Sequence, residues 1–211
     1  MKLILVRHGE TEWVREHRYQ GSTDVPLNRY GYRQAKALGR LLKKERPAAV
    51  YSSKLERARE TAKLIGRACR KKVMSDARLN EVSFGHWEGE SHDGIRTRSP
   101  KASKRWYRAQ WSSRPPGGES LRSLEKRISG FLKDLLKQFL KRDKTCIVVT
   151  HGGPIRMFLI RFLDISPEIF WSVRIDTASV TVIQIMKKRN EVIIVNGQAH
   201  LNGMARPKVT K

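Results

Sequence analysis

Residues Lys2–Arg7 read K-L-I-L-V-R, a short apolar run that Gly9 breaks. A run of this length without polar alternation reads as a buried strand. Helical spacing follows. Ala35, Leu38, Leu41 and Leu42 fall on one face, Lys36, Arg40 and Lys43 on the other, and Pro47 ends the helix. Ala48–Ser52 is a second short strand and Leu55–Ala68 a second helix, with Leu55, Ala58, Ala62 and Ile65 inward. Lys72–Ser75 is a brief third strand. This alternation predicts parallel strands with helices packed on a central sheet. Between the first strand and first helix, Gly21–Asn28 is rich in turn formers and reads as loop.

Residues 86–118 break the pattern. They hold His86, His92, Trp87, Trp106 and Trp111, many basic residues, and the stop Pro115-Pro116-Gly117-Gly118. The expectation is an inserted lid of short helices within a single domain spanning 1–211. A long amphipathic helix is expected from Glu119 to about Lys141, then a strand over Thr145–Thr150. Pro154 suits the first position of a helix continuing over 155–163. The end is β: Val180, Val182 and Ile185 in a run to Met186, a turn over Lys187–Asn190, and Val192–Val195 returning as a hairpin partner.

A chain of 211 residues with 39% hydrophobic residues can bury a sufficient core without disulfides or a structural metal. Nothing approaches the roughly 20 apolar residues of a membrane span, and no signal-peptide pattern follows Met1. Cys69 and Cys146 form no C-x-x-C and read as small buried hydrophobes in a reducing compartment. A cytoplasmic location without membrane partners is expected. The charge is unusual: 44 basic against 20 acidic residues, a net +24. The excess is spread along the chain and peaks in residues 101–150, with 13 basic against 4 acidic. Such a field attracts phosphorylated metabolites or nucleic acid, or it simply solvates the surface.

Two histidines occupy matching places. His8 ends the first strand in V-R-H-G, and His151 ends a late one in V-T-H-G-G. Ligands of open α/β sheets bind at the carboxyl ends of strands. Arg7 adjoins His8, and Arg57 lies just beyond another strand end in Y-S-S-K-L-E-R-A. Gly152 opens the way for close backbone approach, and the helix near Pro154 aims free N–H groups at an anion. Two histidines, two arginine forks and a helix N-terminus together suit a phosphoryl group.

L-V-R-H-G-E-T-E-W resembles the signature of the histidine phosphatase superfamily, the phosphoglycerate-mutase-like proteins. Q-G-S-T-D-V-P-L-N-R-Y-G-Y-R-Q-A, Y-S-S-K-L-E-R-A-R-E-T-A, L-N-E-V-S-F-G-H-W-E-G, P-P-G-G-E-S and V-V-T-H-G-G-P-I-R are similar to family segments in the family's order. The resemblance implies a three-layer α/β/α sandwich with a mostly parallel sheet. It implies a phosphate pocket of Arg7, His8, Arg57 and His151, Glu81 as proton donor, and Gln20 on the substrate phosphate. Neutral His8 would form a phosphohistidine, with Arg7 and Arg57 disfavouring its imidazolium by like-charge repulsion. No metal or cofactor is implied, because arginines neutralise the phosphoryl charge. The substrate would be a small phosphorylated metabolite, as for α-ribazole-phosphate and broad-specificity phosphatases. Two positions depart from the pattern: Val14 stands where Asn is common and His17 where Gly is common, so Val14 or Arg15 would reshape the pocket mouth.

Three other readings stay open. A phosphoglycerate mutase uses the same phosphohistidine, although such mutases are longer. His86, Glu88, Glu90 and His92 alternate and would share one face of a strand, as metal ligands could. A nucleic-acid-binding module would use the tryptophans among Lys101, Lys104, Arg105 and Arg108. His200 reads as structural.

Overall fold

The computed structural model describes residues 1–109, 111–186 and 189–206. Six strands form one sheet: β1 (Lys2–Arg7), β2 (Ala49–Ser52), β3 (Val73–Ser75), β4 (Thr145–Thr150), β5 (Val180–Gln184) and β6 (Glu191–Gly197). Their order is β3-β2-β4-β1-β5-β6. The first four are mutually parallel, while β5 and β6 run antiparallel at one edge. The mostly parallel sheet agrees with the strand–helix alternation, and the antiparallel edge is the C-terminal β segment. The expected turn over Lys187–Asn190 lies partly outside the described residues, since Lys187 and Lys188 are not among them.

The helices are α1 (Glu12–Arg15), α2 (Arg29–Leu42), α3 (Glu56–Cys69), α4 (His92–Arg98), α5 (Pro100–Arg108), α6 (Leu121–Phe139) and α7 (Gly152–Leu163). They cover both faces of the sheet. Ile4 and Val6 of β1 pack with Ile147, Val149 and the inner faces of α2 and α3. Leu3 and Leu5 pack with Cys146, Val148 and residues of α6 and α7. The strand reads as an unbroken apolar run because both faces are dry. Each fully buried side chain of this kind contributes roughly 1.5–3 kcal/mol.

Local chemistry sets the helix starts. Asn28 caps α2 by accepting from the Gly31 N–H at 2.8 Å, and Ser120 caps α6 by accepting from Ser123. α3 has no cap of its own, and Asp24 of the preceding loop accepts from the Glu56 N–H instead. α7 starts at Gly152, so Pro154 is its third residue and not its first. That position is as permissive, because the first four N–H groups of a helix lack intrahelical acceptors. α1, one turn capped by Thr11, falls below the length at which periodicity shows.

Residues 86–118 carry α4 and α5 after a short 3₁₀ turn at Gly85–Trp87. Trp106 is buried edge-on against Phe84 and Trp87, and Trp111 is half-buried. These rings are packing residues and offer no stacking platform. Among the described residues, no helix is long and apolar enough to cross a membrane.

Candidate active site

The register of the sheet builds the site. β1 pairs with β4 from Lys2↔Thr145 to Arg7↔Thr150. The residues that follow, His8 and His151, therefore leave adjacent strands at the same height. Their rings lie 5.0 Å apart, and both are buried. Gly9 must be glycine here, since a Cβ on it would stand 2.5 Å from the Gly31 carbonyl oxygen.

Hydrogen bonds assign the ring nitrogens. His8 Nδ1 lies 2.7 Å from its neighbour's carbonyl, Gly9 O, an acceptor only, so Nδ1 carries the proton and donates. Nε2 keeps its lone pair. His151 Nε2 lies 2.7 Å from Ser53 Oγ. Ser53 Oγ accepts from the Leu55 N–H, and His151 Nε2 is the one acceptor within its reach among the described residues, so the buried hydroxyl hydrogen goes to His151 Nε2. The His151 proton then sits on Nδ1, which is buried without a partner.

Both imidazoles are held well below the ordinary histidine range. For His8 burial is the largest cause, followed by Arg57 and then Arg7, while the Gly9 hydrogen bond opposes them. His151 follows the same order, with burial first and then Arg57, His8 and Arg7. The expectation from sequence gave this effect to the arginines. The structure makes them secondary to desolvation, which a sequence does not display.

The arginines are fixed from behind. Arg57, on the first turn of α3, donates from Nη1 to Thr23 O and from Nη2 to Gly21 O, both at 2.7 Å. Arg7 donates from Nη1 to Ile175 O at 2.6 Å. The Nε atoms of both are buried without partners. Burial pulls Arg57 down to about 10, so it stays cationic at neutral pH. The loop that holds Arg57 is itself held by Glu88, whose carboxylate accepts from Ser22 and Thr23 N–H at 2.9 and 2.8 Å and from Phe84 N–H at 2.9 Å. Burial would raise the Glu88 pKa, but the hydrogen bond from the Thr23 hydroxyl, with those from the Ser22 and Phe84 N–H groups, outweighs it and holds the group below the ordinary range.

Glu81 enters from the loop after the 3₁₀ turn Ala77–Leu79. Its Oε1 accepts from the Val82 N–H at 2.9 Å and from Gly153 N–H, in the first turn of α7, at 3.1 Å. Arg127 of α6 fixes this loop by donating to the carbonyls of Arg78, Asn80 and Glu81, and it forms two bonds with Glu119.

These groups surround a cavity of about 530 Å³ lined by Arg7, His8, Gln20, Arg57, Glu81 and Gly152, among others. The structure thus brings six of the seven expected residues to its wall. The seventh, His151, is not part of that wall, and its ring lies 5.0 Å from that of His8. Gln20 is anchored by Thr11 Oγ1, which donates to its Oε1 at 2.8 Å. Of the two residues expected at the pocket mouth, Val14 reaches the same cavity, as does His17, while Arg15 turns to Glu12 at 2.9 Å and borders a neighbouring hollow. His17 has φ +56°, the left-handed conformation in which glycine is unstrained. That explains why glycine suits the position.

Sequence reading missed Arg156, Trp171 and Arg174, which line the outer cavity. Arg156 stands one turn beyond Gly152. Its Nε donates to Val173 O at 2.8 Å, and its guanidinium lies 5.2 Å from the centre of the Trp171 ring. Burial lowers it to about 10. Helical i, i+4 spacing within T-H-G-G-P-I-R was the available signal.

The alternating His86–His92 residues do not form a metal centre. Glu88 is spent on the Ser22–Thr23 loop, and His92 Nδ1 meets the Tyr107 hydroxyl at 3.3 Å. Among the described residues, no three His, Cys, Asp or Glu side chains converge as ligands would.

Comparison with known proteins agrees with this geometry. The sequence model of the histidine phosphatase superfamily (branch 1) matches residues 3–198. Phosphoserine phosphatase 1 of Hydrogenobacter thermophilus is 36% identical over 201 residues, covering 95% of this chain and 94% of that protein. A 2,3-bisphosphoglycerate-dependent phosphoglycerate mutase 2 of Gloeobacter violaceus is 34% identical over 169 residues, covering 79% and 77%. Among solved structures, phosphoserine phosphatase from Entamoeba histolytica in complex with phosphoserine superposes with a TM-score of 0.84 at 29% identity, over 95% of this chain and 98% of that one.

Proposed function

We propose a function from one premise: the chain belongs to the histidine phosphatase superfamily, branch 1. It is a phosphomonoester hydrolase, and we assign its steps to residues as follows. The observation that carries the assignment is one cavity lined together by Arg7, His8, Arg57 and Glu81, with the His8 proton on Nδ1 and Nε2 free to attack. Two arginines beside that nitrogen suit the anionic oxygens of a phosphoryl group.

His8 Nε2 attacks phosphorus in line as the ester P–O bond breaks. Glu81 gives a proton to the departing alkoxide. Water then attacks the phosphohistidine, Glu81 takes the water's proton, and Nε2 leaves with its lone pair restored. Arg7, Arg57 and His151 hold the equatorial oxygens throughout, with Gln20 and the Gly152 backbone beside them. One such preorganised donor is worth ~10²–10³ in rate. The arginines supply the charge that a metal supplies in other phosphatases, so the chemistry calls for no metal.

The substrate is a small phosphorylated metabolite. Arg156 and Arg174 at the outer cavity suit a second anionic group, which favours a phosphoserine-like ester. The mutase similarity keeps a second reading, in which an alcohol and not water accepts the phosphoryl group. Residues 86–118 serve as a lid of the single domain. Free Cys69 and Cys146 support a cytoplasmic location. The test is release of inorganic phosphate from O-phosphoserine after exhaustive EDTA treatment. Activity should persist and should be lost in His8→Ala. A collapse restored by Mg²⁺ or Zn²⁺ would overturn the assignment.

A further inference from the structure

A groove of about 490 Å³ at the C-terminal end of α3 is rimmed by Arg59, Lys63, Arg67, Arg70, Lys71 and Lys72. All six are exposed. Gly66, Val73 and Ser75 complete the lining, which contains no acidic residue. Among the described residues, Glu60 on Lys63 is the one acidic partner of the six. Arg59, Lys63, Arg67 and Arg70 recur at four, four and three residues, which puts them in a single row. At 1.5 Å per residue the row is roughly 16 Å long. Arg57 stands on the first turn of the same helix, but the groove, which runs from Arg59 along α3 to Lys72 and Ser75, shares no lining residue with the phosphate pocket.

The plain explanation is that cations offset helix C-termini. Two helices do end here, since Gly39 of α2 packs on Leu64 and Ala68 of α3. Each terminus is worth about half a negative charge, so about one cation would suffice for the pair. The groove has six, and Lys43, Lys44 and Arg46 are exposed just past the end of α2. The surplus is several charges, held together against mutual repulsion with Glu60 on Lys63 as their one acidic partner among the described residues.

We propose that this groove is a second, non-catalytic site that binds the phosphodiester backbone of nucleic acid. One strand of a duplex presents a phosphate about every 3.4 Å along the axis, so the row faces about five of them. The surface is concave, and no exposed apolar side chain lines it. A lipid surface would call for apolar anchors beside the charges. Without base-reading groups the binding is independent of sequence and sensitive to salt.

Fluorescence anisotropy of a short labelled DNA duplex tests this. The protein is compared with Arg67→Gln/Arg70→Gln/Lys71→Gln/Lys72→Gln. The control removes the same charge from exposed positions of α6, as Arg122→Gln/Lys126→Gln/Lys133→Gln/Lys137→Gln. The groove variant should bind on the order of tenfold more weakly or worse, with a salt slope shallower by about 0.9 for each phosphate that is no longer neutralised. The control should stay within about twofold of the unmodified protein. Turnover of a small phosphomonoester, unchanged in both, verifies the fold, and Arg67→Gln and Lys71→Gln singly give graded losses if the quadruple variant fails to fold. Equal weakening in both quadruple variants would reduce the effect to total charge and overturn the proposal. So would absence of duplex binding at low salt, or retention on phosphatidylserine vesicles alone.

Discussion

His8 and His151 are the same residue type in the same position on neighbouring strands, and their hydrogen bonds divide the labour. His8 gives its proton to Gly9 O and keeps a lone pair, whereas His151 takes a hydrogen from Ser53 and keeps a donor. The motifs V-R-H-G and T-H-G-G made both residues legible in the sequence. Their protonation was not legible, because it depends on a backbone carbonyl and on burial that only the closed fold creates. Glu81 was legible only through the resemblance, since nothing in L-N-E-V marks an acid by itself. Its proposed role has a specific signature. Glu81→Gln should slow hydrolysis of O-phosphoserine by ~10²–10⁴, because an alkoxide leaves poorly without a proton. Nitrophenyl phosphate, whose leaving group is stable as an anion, should lose much less. Equal losses on both substrates in steady-state assays would give Glu81 another role.

At the scale of elements, the β1–β4 register sets two histidines side by side, and the start of α7 sets the acid. A Cβ on Gly153 would stand 2.3 Å from Glu81 Oε1. Gly153→Ala should therefore displace the carboxylate while leaving Arg7, Arg57 and His8 in place. The expected result is a fall in kcat on O-phosphoserine of about tenfold or more, with vanadate or phosphate inhibition nearly unchanged. A fall in both would mean that the substitution disturbs the phosphate pocket itself. The strand ends, α2, α3 and α6 could be read from periodicity and turn residues. The coupling of Glu81 to α7 could not, because residues 72 apart in sequence meet only through the crossover. Arg127 was hidden for the same reason: on α6 it reads as one more exposed cation, and only packing reveals that it grips three carbonyls of the Glu81 loop.

The whole molecule carries +24 yet buries Arg57 and two histidines at one site, so its stability should respond to acid before its carboxylates do. His8 and His151 stay neutral in the fold well below 6.5, the ordinary value to which the unfolded chain returns. As pH falls below 6.5 the unfolded chain takes up protons that the folded one refuses, so stability is lost. Each histidine accounts for up to about 1.4 kcal/mol per pH unit. Denaturant unfolding between about pH 7 and about pH 5 should show this slope, above the range in which Asp76, Glu88 and Asp176 titrate. His92 and His200 act in the same direction, so the decisive comparison is His151→Asn, which should lose one proton's share of the slope. An unchanged slope would contradict the burial of His151. The central claim, that the phosphoryl group passes through His8, has a more direct measurement. The protein is quenched in base during turnover of a phosphomonoester, digested, and the modified peptide sequenced by mass spectrometry. One phosphoryl group on His8, absent in His8→Ala, is the predicted result. A phosphoryl group on Ser53, Glu81 or any other side chain, or undiminished turnover by His8→Ala, would contradict it.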